Sequence, residues 1–216
     1  MKSFECRLAG TWAARSVSVL LCVWALGACS VLQPSATEPP AFFALNVAPN
    51  AARLRSPDNA TRTLPTLIIT PTRAAAGFDS QRIIFVRHDH QLEYFAHSEW
   101  VDTPARMLGP LLASALEGTA AFGAVVVTPA SASGDLRLET EIVRLQHNFQ
   151  SNPSRVQFAL RAFLLDDKTR RVMAWREFSG ESASASATPQ GGVDAANTVV
   201  QSVLNELAQF VATRRQ

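Results

Sequence analysis

The chain has 216 residues, 47% of them hydrophobic, with 20 basic and 18 acidic side chains. Those figures fit one globular domain of roughly 100–200 residues and exclude wholesale disorder. A formal charge of +2 lacks the clustered basic excess with which proteins track phosphates, so a nucleic-acid partner is excluded too.

The first thirty residues read as an address. Lys2, Arg7 and Arg15 make a positive head before an apolar run from Val17 to Ala25. That pattern describes a secretory signal, and the run is too short to cross about 30 Å of hydrocarbon. Leu26-Gly27-Ala28-Cys29-Ser30 follows and resembles the lipobox of bacterial lipoproteins, with Leu three before the cysteine and small residues between. The resemblance implies cleavage after Ala28, diacylglycerol on the Cys29 thiol and acylation of the new amine by a chain such as palmitate. Three acyl chains hold far more firmly than the single chain that binds marginally. A plain secretory signal cut at the same bond would instead leave a free thiol. Cys6 and Cys22 lie inside the signal, so residues 29–216 have no partner for a disulfide and no zinc-thiolate set. Removing Lys2, Arg7, Arg15 and Glu5 leaves the mature domain electrically neutral. Ser30 in place of Asp after the cysteine implies, by the same resemblance, the outer membrane.

After the signal, residues 1–28, come the Pro-rich residues 29–41. They read as a tether at ~3 Å per residue that reaches roughly 35 Å from the bilayer. Residues 42–216 are expected to form one domain. Phe42–Val47 is a first strand, and the polar stretch Ala48–Pro65 a loop. Thr66–Thr70 and Gln81–Arg87 are further strands. A hairpin then turns through His88-Asp89-His90 into Leu92–Ala96. Thr103-Pro104 starts a helix, with Thr as N-cap and Pro where its missing N–H costs nothing. Met107, Leu108, Leu111, Leu112, Ala115 and Leu116 form its apolar face, and Gly109-Pro110 predicts a kink. Ala124–Thr128 reads as a buried strand. Leu136, Leu138, Thr140 and Ile142 alternate with Arg137, Glu139 and Glu141, the period of a half-buried strand. Val156, Phe158, Leu160, Ala162 and Leu164 repeat it, and Val172–Phe178 completes an antiparallel meander. Residues 179–192 read as a Ser/Ala/Gly-rich loop before a last helix, Val193–Thr213. The sum is an α+β fold: a mixed, largely antiparallel sheet with two amphipathic helices on one face, the other left for solvent or a partner.

Little in this pattern carries chemistry. His88, His90 and His97 are metal candidates by type, yet His88 and His90 flank Asp89 at a turn, where side chains need not converge. His147 is isolated. Glu139 and Glu141 share a strand face and could do acid–base work, but that face is the polar, solvated one. Ser182, Ser184 and Ser186 lie in low-complexity sequence without a G-x-S-x-G elbow. Gly191-Gly192 could offer free amides to an anion, or merely loosen the entry to the helix. We expect no enzyme, no catalytic residue, no cofactor and no metal site. Tyr94, Phe95 and Trp100, within seven residues, are either interface anchors or core packing between strand and helix.

The run from Arg82-Ile83-Ile84-Phe85-Val86-Arg87 through Tyr94-Phe95-Ala96-His97-Ser98-Glu99-Trp100 to Thr103-Pro104-Ala105-Arg106-Met107-Leu108 resembles the auxiliary lipoproteins of ABC-type transport systems, of the paraquat-inducible protein C type. The lipobox before it, the alternating strands after it and the closing helix keep that family's order. The long 48–65 loop and Gly109-Pro110 depart from it. The resemblance implies a periplasm-facing outer-membrane lipoprotein that works with a mammalian-cell-entry (MCE) domain protein, an ABC permease and its ATPase in lipid transport. It also implies a possible homo-oligomeric ring. The alternatives are an assembly lipoprotein for another outer-membrane machine, such as lipopolysaccharide insertion, and a periplasmic hydrolase.

Overall fold

At the centre of the computed structural model, which describes residues 39–46, 64–129 and 132–214, runs one long strand that every part of the sheet uses. The signal, Cys29 and residues 30–38 lie outside the described residues, as do Val47 of the expected first strand and 48–63 of the expected loop. In chain order the strands are β1 (Ala41–Phe43), β2 (Thr66–Ile69), β3 (Arg73–Ala74), β4 (Arg82–Val86) and β5 (Glu93–Trp100). Helix α1 (Pro104–Gly118) follows, then β6 (Ala124–Val127), β7 (Leu136–Asn148), β8 (Arg155–Asp166), β9 (Val172–Ala183) and helix α2 (Pro189–Thr213).

One edge of β7 pairs antiparallel with β8 from Leu136↔Asp166 to Asn148↔Arg155, with an irregularity between Ile142 and Arg144. Its other edge carries three short strands in parallel: β2 at Leu67↔Leu136, β3 at Arg73↔Glu141 and β4 at Phe85↔His147. β2 extends the sheet to β6, while β4 pairs antiparallel with β5, which takes β1 in parallel. β8 and β9 complete the meander. The sheet is therefore mixed and open: long antiparallel ladders on one side of β7, short parallel ones on the other.

Alternation decides which face is buried. Leu136, Leu138, Thr140 and Ile142 of β7 point inward with Val156, Phe158, Leu160, Ala162 and Leu164 of β8. Both helices cover this face and share one core with it: Leu108, Leu112 and Leu116 from α1, and Val193, Ala196, Val200, Val203, Leu204 and Leu207 from α2. Thr103 caps α1 by accepting from the Arg106 amide, with Pro104 in the first turn, and the helix continues through Pro110. Thr188 caps α2 by accepting from the Gly191 amide.

α2 rides so close to β9 that a Cβ at Gly180 would stand 3.0 Å from Val199 Cγ2 and 3.2 Å from Val203 Cγ2. Phe178, two residues back, fills the same seam and meets Phe210 edge-to-face with ring centres 5.5 Å apart. On the polar side of α2, Asn197 Oδ1 accepts from the Asn46 amide at 2.8 Å and ties down the end of β1.

Three expectations need correction. β6 is not buried: among the described residues it pairs with β2 alone, and as an edge strand it leaves Val127 exposed. The expected 179–192 loop shrinks to residues 184–188, because β9 stays paired with β8 as far as Ala183. α2 accordingly starts four residues before Val193, at Pro189.

Candidate functional surface

With both helices on one face, the opposite face of β7, β8 and β9 carries the outward residues in rows set by the register. Glu141, Arg161 and Glu177 stand side by side, and Arg161 bridges both carboxylates at 3.4 and 2.8 Å. Glu139 and Glu141 thus lie on the solvated face; Glu141 is engaged in an ion-pair ladder, an arrangement worth little in stability at this exposure. In the next row Glu139 stands beside Phe163, and Phe163 stacks on Trp175 with centres 6.2 Å apart and planes 25° from parallel. Trp175 is 62% exposed, and Val172 beside it is also exposed. An exposed tryptophan stacked on a half-buried phenylalanine is the kind of anchor found at the centre of protein interfaces. Nothing local in Val172–Phe178 singles Trp175 out, and it is the register of the β8–β9 ladder that sets Phe163 beside it.

The end of this face is pinned by Asp167, which takes Arg137 Nε at 2.6 Å and the Gly134 amide at 3.1 Å. Burial disfavours its charged form, but these donors prevail and hold the carboxyl below its ordinary range.

The segment with the chain's single tyrosine divides in two. Trp100 is 3% exposed and belongs to the core, and Phe95 is half-buried in a cluster with Phe85 and Phe149, at 4.7 and 6.4 Å. Only Tyr94 faces out, at 50% exposure, with the Arg82 guanidinium 4.1 Å above its ring. His88 and His90 sit exposed in the β4–β5 turn and His97 is exposed on β5. Among the described residues no group of three His, Cys, Asp or Glu side chains is placed to hold a metal ion.

His147, set aside in the sequence, is the buried histidine. It is 2% exposed and stacks on Phe149 with centres 4.1 Å apart. Its Nε2 lies 2.8 Å from Ser154 Oγ, while buried Nδ1 has no partner. A Cβ at Gly192 would come within 2.6 Å of Nδ1, so that glycine is where α2 makes room for the ring. Burial lowers the imidazole pKa. A catalytic serine–histidine pair needs an acceptor to orient the second ring nitrogen; among the described residues Nδ1 has none, and the ring packs against Phe149. The amides of Gly191 and Gly192 are likewise engaged, by Thr188 Oγ1 and Thr188 O, rather than free for an anion. Ser184 and Ser186 serve the same cap, through Ser184 Oγ to Ser186 O and Ser186 Oγ to Thr188 Oγ1.

Solved structures share this arrangement. A crystal structure of XCC0632 from Xanthomonas campestris, of the DUF330 family, superposes with a TM-score of 0.67 at 22% identity, covering 80% of this chain and 95% of that one. A second, of an uncharacterized protein, reaches 0.62 at 11% identity, over 81% and 99%. At these identities the likeness shows the fold alone. No curated protein matches the sequence. The profile of one family, described as the ABC-type transport auxiliary lipoprotein component, matches residues 43–208, from β1 to within the last turns of α2. The chain belongs to the family of ABC-type transport auxiliary lipoproteins.

Proposed function

We propose that this chain is a non-enzymatic, lipid-anchored component of an MCE-associated lipid transport system. It is moored through Cys29 at the outer membrane, faces the periplasm and docks the MCE component there, as a single copy or as a ring of copies. The observation that carries the reading is the family match over residues 43–208. Three further features support it. A lipobox stands ahead of the matched region. The sheet face opposite the helices presents Phe163, Trp175 and Val172 for a protein partner. The histidine of the serine–histidine pair described above is buried, and its Nδ1 has no partner to orient it.

The test is affinity purification of the tagged, lipidated protein from its own envelope, alongside Cys29→Ala. An MCE protein, permease and ATPase in the eluate, with Cys29→Ala recovered as folded soluble protein, is the expected result. A membrane-embedded barrel in the eluate without an MCE protein would move the chain to an outer-membrane assembly machine. Membrane retention of Cys29→Ala would contradict the anchor.

A further inference from the structure

Four of the exposed large hydrophobic side chains cluster on β1, β5 and the segments that flank β5: Phe42, Leu92, Tyr94 and Val101. Phe42 stands opposite Glu99, and Glu99 opposite Arg82, so the three share the face turned away from buried Trp100. Arg82 in turn covers the Tyr94 ring. Phe42 is 59% exposed and Val101, which donates its amide to Phe43 O at 2.8 Å, is 51% exposed.

We infer that this β1–β5–β4 lobe lies against the lipid surface that anchors the chain, with Phe42 and Tyr94 at headgroup level. The inference rests on the lipid anchor at Cys29 proposed above. Aromatic rings with a wet polar tip, set beside a guanidinium on a flexible stem, are the composition that settles at a membrane interface. The rings enter the boundary, while the hydroxyl and the cation stay among phosphates and water.

Chain length keeps the lipid surface within reach of this lobe. Phe42 follows Cys29 by thirteen residues, so even a fully extended tether holds it within roughly 45 Å of the anchored sulfur. A short linker makes the second contact intramolecular, at an effective concentration of about a millimolar. A patch too weak to hold free vesicles is then occupied whenever the anchor is.

Trp175 is well removed from this lobe. It stands four ladder spacings of about 4.8 Å from β5, and its row is level with Glu139, eight residues of about 3.3 Å along β7 from His147, where β4 joins. Position 175 is therefore an internal control, and Trp100 and Trp175 are the tryptophans beyond Ala28.

The experiment compares the lipidated full-length wild type with Tyr94→Trp/Trp175→Phe. Both are placed in vesicles of phosphatidylethanolamine with a minority of phosphatidylglycerol, the acyl chains brominated or not. Trp100 is common to both and shielded by the core. Bromination is expected to cut the emission of the double variant, which also shifts to shorter wavelength, while wild-type emission stays unchanged. A double variant that floats with the vesicles yet keeps its full emission overturns the inference, since position 94 then stands clear of the lipid. Equal loss in both proteins overturns it too, since no one face then meets the lipid. Failure of both proteins to float removes the anchor at Cys29, and this inference with it.

Discussion

Protonation of His147 should loosen the domain, and the geometry fixes both the sign and the window. The imidazolium carries a proton on both ring nitrogens; Nε2 has Ser154 Oγ at hydrogen-bond distance, but Nδ1 is buried without an acceptor. A proton there would face Gly192 in the first turn of α2, where the helix dipole is positive. Burial accordingly holds the folded pKa below the ordinary 6.5. The unfolded chain then binds more protons than the folded one as pH falls below 6.5. The stability is fully present above that pH and is lost as pH drops toward the folded value. For one proton the slope approaches about 1.4 kcal/mol per pH unit inside that window. Urea unfolding of the soluble Cys29→Ser domain at several pH values between neutral and mildly acidic, with and without His147→Gln, isolates this contribution. Gln can still reach Ser154 but does not titrate, and the carboxylates titrate alike in both proteins. His147→Gln is expected to be less stable at neutral pH yet flatter toward acid, so that the two curves converge. Parallel curves would refute the argument.

Two other substitutions probe packing and surface. Gly180→Ala removes a flexible residue from a strand, a change that stabilises by about 0.4–1 kcal/mol where space allows. Here the new methyl meets Val199 and Val203 at 3.0 and 3.2 Å, so we expect a net loss of about 1–3 kcal/mol from overpacking, read as a lower urea midpoint. Trp175→Ser should leave stability within about 0.5 kcal/mol, as an exposed position away from core and caps, while cutting recovery of the MCE protein proposed above as partner in affinity purification. Undiminished recovery would take the partner contact off this part of the sheet.

The parts of the fold legible in the sequence are those where periodicity and capping agree over many residues. The alternation in β7 and β8 ran long enough to fix which side faces the core, and Thr103-Pro104 marked the start of α1 at the residue where it begins. The same Thr-Pro signal stands at Thr188-Pro189 and caps α2 in the same way. It went unread because the Ser/Ala/Gly composition on either side resembles a loop. β9 was cut short for the same reason: Ser179, Gly180 and Ser182 have weak strand preference, and pairing with β8 overrides it. β6 looked buried because Val125-Val126-Val127 is apolar throughout, and no local pattern tells an edge strand from a central one. His147 was missed for a deeper reason. Its environment comes from Ser154 across a turn, Phe149 nearby and Gly192 far along the chain, and only the folded sheet brings these together.

The division of the sheet into faces bears on how a chain of this family can serve a transporter. β7 pairs along its whole length with β8 and, on its other edge, ties in β2, β3 and β4, while α1 and α2 seal one side into a single core. The two aromatic patches, Phe42 with Tyr94 and Phe163 with Trp175, therefore sit on hydrogen-bonded strands rather than on loops, with register shifts in the ladders between them. A ladder of this kind bends little at the energies that hold a surface contact, because shifting its register by one residue would exchange the buried and exposed sides of every strand involved. If the first patch rests on lipid and the second on the MCE component, the distance between membrane and partner is set by strand count and strand length. It does not then depend on the length of the Pro-rich segment that follows Cys29.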